Sequence, residues 1–318
     1  MSNYKDEDVA LFDASPGLEV RTSPVGIESH GQRLDKALVA MVPEFSRSYL
    51  QRLIEGGHVQ VDTLPALLPA RKLRVGQMLR VELVPTEESR AFTPMAMDLD
   101  RLFEDEHLLV LNKPAALVVH PAPGHWSGTL LNGLLAHHPL ASTLPRAGIV
   151  HRLDKDTSGL MVVGKTLAGV TALSRAIARR EVHRQYLAIA HGRLEPVSQR
   201  IEQPIGRDPV SRIRMAVVAS GKPARTDVLR QNTHGRYSAL QCTLHTGRTH
   251  QIRVHLSWCG HPLVADLTYG GAAALGLTRQ ALHAARLGLR HPITGAELEF
   301  ECPPPADFAA AWSAVAPG

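Results

Sequence analysis

AGIVHRLDKDTSGLMVV, residues 147–163, gathers its acids and bases between two apolar runs, 147–150 and 160–163. Each run predicts a β-strand, because short apolar stretches bounded by polar punctuation read as buried strands. A loop pinned at both ends holds its charged side chains in a fixed direction, as functional loops on rigid scaffolds do. Outward from it, strands are expected over 108–111, 117–119, 182–190 and 237–244, the last with Leu240, Cys242 and Leu244 at alternate positions. Thr166 is placed to cap a helix whose Leu167, Val170, Leu173 and Ile177 share a face. Arg179-Arg180 end that helix, and cations suit a C-terminal dipole. Residues 249–259 return to helical period through Ile252, Leu256 and Cys259. Strands that recur without a regular helix between them predict an α+β fold, with a mixed, largely antiparallel sheet instead of a doubly wound one.

Upstream, the chain divides. Residues 1–30 are polar, carry Pro16, Gly17, Pro24 and Gly26, and predict a flexible leader with little apolar burial to offset its ordering entropy. Residues 31–90 predict a small domain: a helix through Leu34, Leu38 and Met41, a second capped by Ser46 and carrying Tyr49, Leu50, Leu53 and Ile54, then strands at Val59/Val61 and Leu79/Val81/Leu83. Its bases include Arg33, Lys36, Arg47 and Arg52, which would face a phosphate backbone or simply keep the surface solvated. Between 85 and 106 the chain turns acidic, which marks a boundary, and residues 91–318 predict one larger domain.

Composition narrows the function. A formal net charge of +5 favours a polyanionic partner, while an aromatic content of 4% argues against a surface built from base-stacking platforms. Three cysteines, Cys242, Cys259 and Cys302, lack both C-x-x-C spacing and disulfide density, so a reducing compartment is expected. The acidic start has no apolar core and no run of 18 apolar residues follows, so neither export nor membrane insertion is expected and the cytoplasm is the expected location.

Several chemistries can be set aside. Asp156-Thr157-Ser158-Gly159 has one residue too many for an aspartic-protease signature and no second copy. His151, Asp154 and Ser158 share one short loop without a nucleophile elbow. The 17 histidines include no H-E-x-x-H, and no G-x-G-x-x-G or Walker pattern cradles a nucleotide, so neither metal nor cofactor is expected. What remains beside 151–160 is a second charged turn, TGRTHQIR at 246–253, where Gly247 turns strand into helix. Arg248 then sits in the turn and Arg253 about one helical turn inside. A guanidinium reaching across a cleft could aim a carboxylate. A basic face or a structural ion pair explains the two arginines as well.

HRLDKDTSGL (151–160) and TGRTHQIRVHL (246–256) resemble the signature segments of the large family of ribosomal and transfer RNA pseudouridine synthases. The resemblance extends through Asn112-Lys113-Pro114, Arg184-Gln185-Tyr186, Gly260-His261-Pro262-Leu263, Asp266, Tyr269-Gly270 and Gln280-Ala281-Leu282-His283-Ala284. Residues 31 to about 90 resemble the S4 RNA-binding module that precedes the catalytic domain in many members. The resemblance implies isomerisation of uridines in ribosomal RNA, by preference of the large subunit or its assembly intermediates, with base flipping and no cofactor, metal or obligate protein partner. It leaves open another rRNA or tRNA site, or a non-catalytic ribosome-assembly factor. It implies that Asp154 is the catalytic aspartate, Arg152 the side chain that fills the space of the flipped base, Tyr186 a ring that stacks on uracil and helps move its C5 proton, and Arg253 the partner of the aspartate. Arg248 and the bases of the small domain would contact RNA, with Arg175, Arg179, Arg180, Arg184, Arg207, Arg212, Arg214, Lys222 and Arg225 as a phosphate rim. Two departures stand out. Asp62-Thr63-Leu64-Pro65 stands where members often have Asn-Gly, which predicts a different hairpin, and the stretch 271–279 is short and Ala/Gly-rich, which leaves the form of the cleft rim open.

Overall fold

The first unit, residues 1–90, builds on two helices that end where the sequence punctuates them. This is a computed structural model, and it describes residues 19–84, 91–211 and 213–316. Helix α1 (Leu34–Met41) stops before Pro43, and α2 (Arg47–Glu55) starts where the Ser46 hydroxyl accepts the Tyr49 amide at 3.3 Å. Both turn their leucines onto an antiparallel sheet of four strands, β1 (Glu19–Pro24), β2 (Val59–Val61), β3 (Leu64–Pro65) and β4 (Met78–Leu83), in the order β1-β4-β2-β3.

Strand β1 corrects the expectation of a leader reaching residue 30. It pairs with β4 along its whole length, from Glu19 opposite Leu83 to Pro24 opposite Met78, and Val25 enters the core. Backbone pairing with a neighbouring strand supplies the order that its mostly exposed side chains do not. Residues 1–18 of the expected leader lie outside the described residues. The hairpin that joins β2 to β3 is a two-residue turn. Asp62 (φ +55°) and Thr63 (φ +73°) both take the left-handed conformation that a two-residue primed turn requires. The Asp62 carboxylate accepts the Met78 amide and the Gln77 side-chain amide, both at 2.8 Å, and so offsets the cost of that conformation without a glycine.

The second unit, residues 91–318, is organised by a nine-stranded sheet. In chain order it contributes β5 (Arg101–Glu104), β6 (Leu108–Lys113), α3 (Leu130–His137), β7 (Ser158–Gly164), α4 (Leu167–Ala178), β8 (His183–His191) and β9 (Ser198–Glu202). A small pair follows, β10 (Ile205–Arg207) with β11 (Met215–Val217), then β12 (Arg225–His234), β13 (Tyr237–Leu244), α5 (Gln251–Trp258), β14 (Leu282–Arg290), β15 (Glu297–Glu301) and α6 (Ala306–Val315). The large sheet runs β5-β6-β7-β14-β8-β13-β12-β9, with β15 on β14. Its pairings are antiparallel apart from β7 with β14, so the α+β, mixed and largely antiparallel expectation holds. β7 and β15 share one edge of β14 in succession, at 283–284 and 286–290.

The central strands read as unbroken apolar runs because both faces of the sheet are covered. Leu109 and Leu111 of β6, with Met161 and Val163 of β7, face one core, while Leu108, Val110, Leu160 and Val162 face the other. Three local expectations need correction. Residues 117–119 form no strand, since the Val118 and Val119 carbonyls accept the Leu130 and Leu131 amides at the start of α3. The run 147–150 is no strand either: a 3₁₀ turn, Pro145–Gly148, leads to a single bridge between Ile149 and Val163. Thr166 caps α4 as expected, but Leu167 is exposed while Val170 and Leu173 are buried.

Candidate active site

The loop 151–157 is held from several sides. His151 Nε2 accepts the Val162 amide at 3.0 Å, and the Thr157 amide donates to the Asp154 carbonyl at 3.1 Å to close the turn. Lys113, fully buried at the end of β6, donates from Nζ to the carbonyls of Pro114 (2.6 Å), Leu117 (2.9 Å) and Lys155 (3.0 Å). Burial pushes its pKa down to about 7 against the pull of Asp156 and Asp154. From the other side Arg279, anchored on Asp307, donates to the Asp156 carbonyl at 3.0 Å, and Gln280 donates to Thr157 Oγ1 at 3.2 Å. Where the loop enters β7, Gly159 (φ +114°) lets β14 approach so closely that a Cβ would stand 2.2 Å from the Ala284 carbonyl oxygen.

Asp154 projects from this loop toward α5. His250, left-handed (φ +55°), precedes helix α5 and turns the chain so that Arg253 enters the interior within the first helical turn. Arg253 Nη1 donates to Asp154 Oδ2 at 3.0 Å, while Nε and Nη2 donate to Asp266 Oδ2 and Oδ1 at 2.7 and 2.9 Å. The guanidinium is 7% exposed and Asp266 1%, and the Tyr269 ring lies 5.0 Å from its centre. Burial disfavours the charge, but the Asp266 hydrogen bonds and both carboxylates outweigh it and raise the pKa of Arg253 further. The second oxygen of Asp154, Oδ1, accepts no hydrogen bond among the described residues and lies 3.8 Å from His250 Nε2. His250 Nδ1 pairs with the Tyr269 hydroxyl at 2.8 Å, and burial lowers the imidazole pKa.

Two recesses meet at Asp154 and Tyr186. A cleft of about 620 Å³ opens on one side, and a slot of about 40 Å³ lies beside it, walled by Leu244, Ile252 and Leu282 as well. Tyr186, on β8, is buried, and burial pushes its phenol up to about 12. At neutral pH it is therefore a protonated phenol, a flat wall of the cleft with a hydroxyl able to donate. The arrangement suits a planar, partly apolar base held beside a carboxylate, within a cleft whose lining carries five arginines and one acid.

The structure thus brings Asp154, Tyr186 and Arg253 together and sets Arg152 and Arg248 on the cleft wall. Arg152 is exposed, and Arg248 is braced by the Pro223 carbonyl at 3.1 Å. Of the expected rim, Arg180 and Arg184 line the cleft. Arg225 is tied to Asp227 at 2.7 Å, Arg214 stacks on Tyr269 at 5.3 Å, and Arg175, Arg179, Arg207 and Lys222 are exposed elsewhere. Arg212 lies outside the described residues.

In the first unit, Arg33 and Arg47 converge with Gln51 on the fully buried Asp35, at 2.7 to 3.2 Å. The Arg33 hydrogen bonds hold that carboxyl far below the usual range, so both arginines have a structural task. Lys36 and Arg52 are exposed.

Asp266, Lys113 and Arg279 emerge as site-building residues to which the sequence assigned no role. Asp266 and Lys113 sit within segments that resemble the family's motifs, which was the available signal.

Comparison with known proteins follows the same lines. The family described as RNA pseudouridylate synthase matches residues 107–258, and the S4 domain family matches 32–79. The ribosomal large subunit pseudouridine synthase D of Neisseria meningitidis serogroup B is 49% identical, covering 96% of this chain and 84% of that one. The protein of the same name from Vibrio parahaemolyticus is 43% identical, covering 93% and 94%. Among solved structures, human RNA pseudouridylate synthase domain containing 1 superposes with a TM-score of 0.54 at 27% identity, over 72% of this chain and 90% of that one.

Proposed function

Because the chain belongs to the RNA pseudouridylate synthase family, and is an enzyme of the isomerase class, we propose that its cleft converts uridines of large-subunit ribosomal RNA with Asp154 as the catalytic carboxylate. The reaction breaks the N1–C1' glycosidic bond and forms C5–C1'. The proton on C5 is lost and N1 gains one, so nothing is oxidised and nothing leaves. A uridine in a helix hides these atoms, so the base first leaves its stack at a cost of a few kcal/mol. Arg152, exposed at the cleft mouth and two residues before Asp154, fills the vacated space. Uracil enters the slot against Tyr186, and the apolar walls Leu244, Ile252 and Leu282 keep the detached base from escaping while it turns.

The observation that carries this reading is Arg253, fixed by Asp266 and donating to only one oxygen of Asp154. Preorganised charge of this kind stabilises a transition state without rearrangement. The first unit would grip a neighbouring RNA helix, with exposed bases that include Lys36 and Arg52. No described helix is long and apolar enough to cross a membrane, and the compartment that goes with an rRNA substrate and three free thiols is the cytoplasm.

The test is tritium release from large-subunit rRNA labelled at uridine C5. Wild-type protein should release tritium and Asp154→Asn should release none while keeping RNA affinity. Normal release by the variant would remove Asp154 from the chemistry, and no release by either would leave an RNA-binding protein.

A further inference from the structure

Arg184 stands on β8 two residues before Tyr186, hence on the same face and roughly 6.6 Å along the strand. It is 5% exposed, yet among the described residues its guanidinium has no carboxylate partner and makes no hydrogen bond, and its Nε is buried. Burying an unpaired charge costs several kcal/mol, which is why buried guanidinium groups elsewhere in this protein, such as Arg253, sit on carboxylates. A second unmet donor lines the same cleft. His151 Nε2 accepts the Val162 amide, so the ring proton is on Nδ1, and Nδ1 is buried without a partner. Arg184, His151 and Tyr186 line the same cleft. Two buried N–H donors with no acceptor, one of them cationic, describe half of a hydrogen-bonded site whose other half is an anion.

We propose that the Arg184 guanidinium, with His151 beside it in the cleft lining, forms an inner anion subsite, which takes a phosphodiester phosphate of the uridine being isomerised or of the nucleotide next to it. The position beside Tyr186 puts that phosphate within one nucleotide of the base in the slot. Phosphate contacts fix register without reading sequence. This one therefore sets how far the target base reaches toward Asp154, and Arg184 is a positioning residue. His120, whose Nε2 is also buried and unpartnered on the same wall, is available as a further donor. The inference rests on the isomerase reading only for the carrier of the anion.

The probe is inorganic phosphate, titrated at constant ionic strength against chloride while the melting temperature of the full chain is followed. Wild type should show a saturable rise in Tm. Arg184→Met should melt at or above wild type without phosphate, because an unpaired buried charge is gone, and should lose the saturable response. Arg184→Lys, which keeps the charge, should retain a weakened response. A merely structural arginine would behave the other way, with Arg184→Met melting lower and responding to phosphate like wild type, and that result overturns the subsite. Should Arg184→Met not fold, a phosphate response in Arg184→Lys equal to that of wild type overturns it as well. In tritium release, Arg184→Lys should raise KM at least tenfold with a smaller change in kcat. Phosphate binding involves no turnover, so a normal phosphate response without tritium release overturns the isomerase reading alone. Tritium release without a phosphate response overturns the subsite alone.

Discussion

Asp266 grips Arg253 through both carboxylate oxygens, at 2.7 and 2.9 Å, and leaves a single guanidinium nitrogen for Asp154. The pair is buried, so its geometry is set by the protein and is already in place before RNA arrives. Asp266→Ala leaves a buried arginine with one partner in place of two, and should lower stability by about 3–5 kcal/mol in chemical denaturation. Asp266→Asn keeps the shape and removes the charge. It should fold, lose most of kcat in tritium release and change KM little; an unchanged kcat would remove Asp266 from the support of Asp154.

Gly159 is the point where the loop 151–157 leads into β7 and where β7 meets β14. Gly159→Ala places a methyl against the Ala284 carbonyl at a φ that L-residues avoid, so about 3 kcal/mol of stability should be lost. Urea unfolding measures the loss. A variant as stable as wild type would show that this junction is looser than its geometry.

His151 gives stability a pH dependence. Burial, with Arg184 adding to it, pushes its folded pKa down to about 3, and Nε2 must be unprotonated to accept the Val162 amide. The unfolded chain binds the proton more readily, so this contribution is fully present above about pH 6.5 and is lost as the pH falls toward 3. The slope is about 1.4 kcal/mol per pH unit. His151→Gln should flatten the stability profile between pH 6 and 4, and an identical profile would remove His151 as its source.

Arg152 is exposed at the cleft mouth, so Arg152→Ala should change stability by less than about 0.5 kcal/mol. RNA binding should weaken, and the slope of log K against log salt should become shallower by about 1 for each phosphate that the variant no longer neutralises. Filter binding at several salt concentrations reads the slope. An unaltered slope together with impaired turnover would confine Arg152 to filling the vacated base position.

Local chemistry by itself determined the parts of this protein that neighbours along the chain decide. Ser46 and Thr166 cap helices because a hydroxyl three residues upstream reaches an amide, and alternation at Leu240, Cys242 and Leu244 marks a strand because its side chains face opposite sides. Asp154 and Arg253 drew attention for a related reason, as charges in segments where charge has no local structural use, and Tyr186 only through the resemblance of its segment.

Pairings between distant segments were another matter. β1 exists because β4 offers it an edge, and residues 117–119 are not a strand because α3 takes their carbonyls. Arg33 and Arg47 look like free bases until Asp35 is seen beneath them. Asp266 and Lys113 carry no local sign of what they hold, since Arg253 and the Lys155 carbonyl reach them only through the fold. Arg184 differs from the other arginines only in being buried without a carboxylate, and burial belongs to the tertiary structure. Sequence thus identified which groups could do the chemistry, while tertiary packing decided which charges are paired, which are held ready and which still lack a partner, because the cost of an unpaired charge depends on how far it is removed from water.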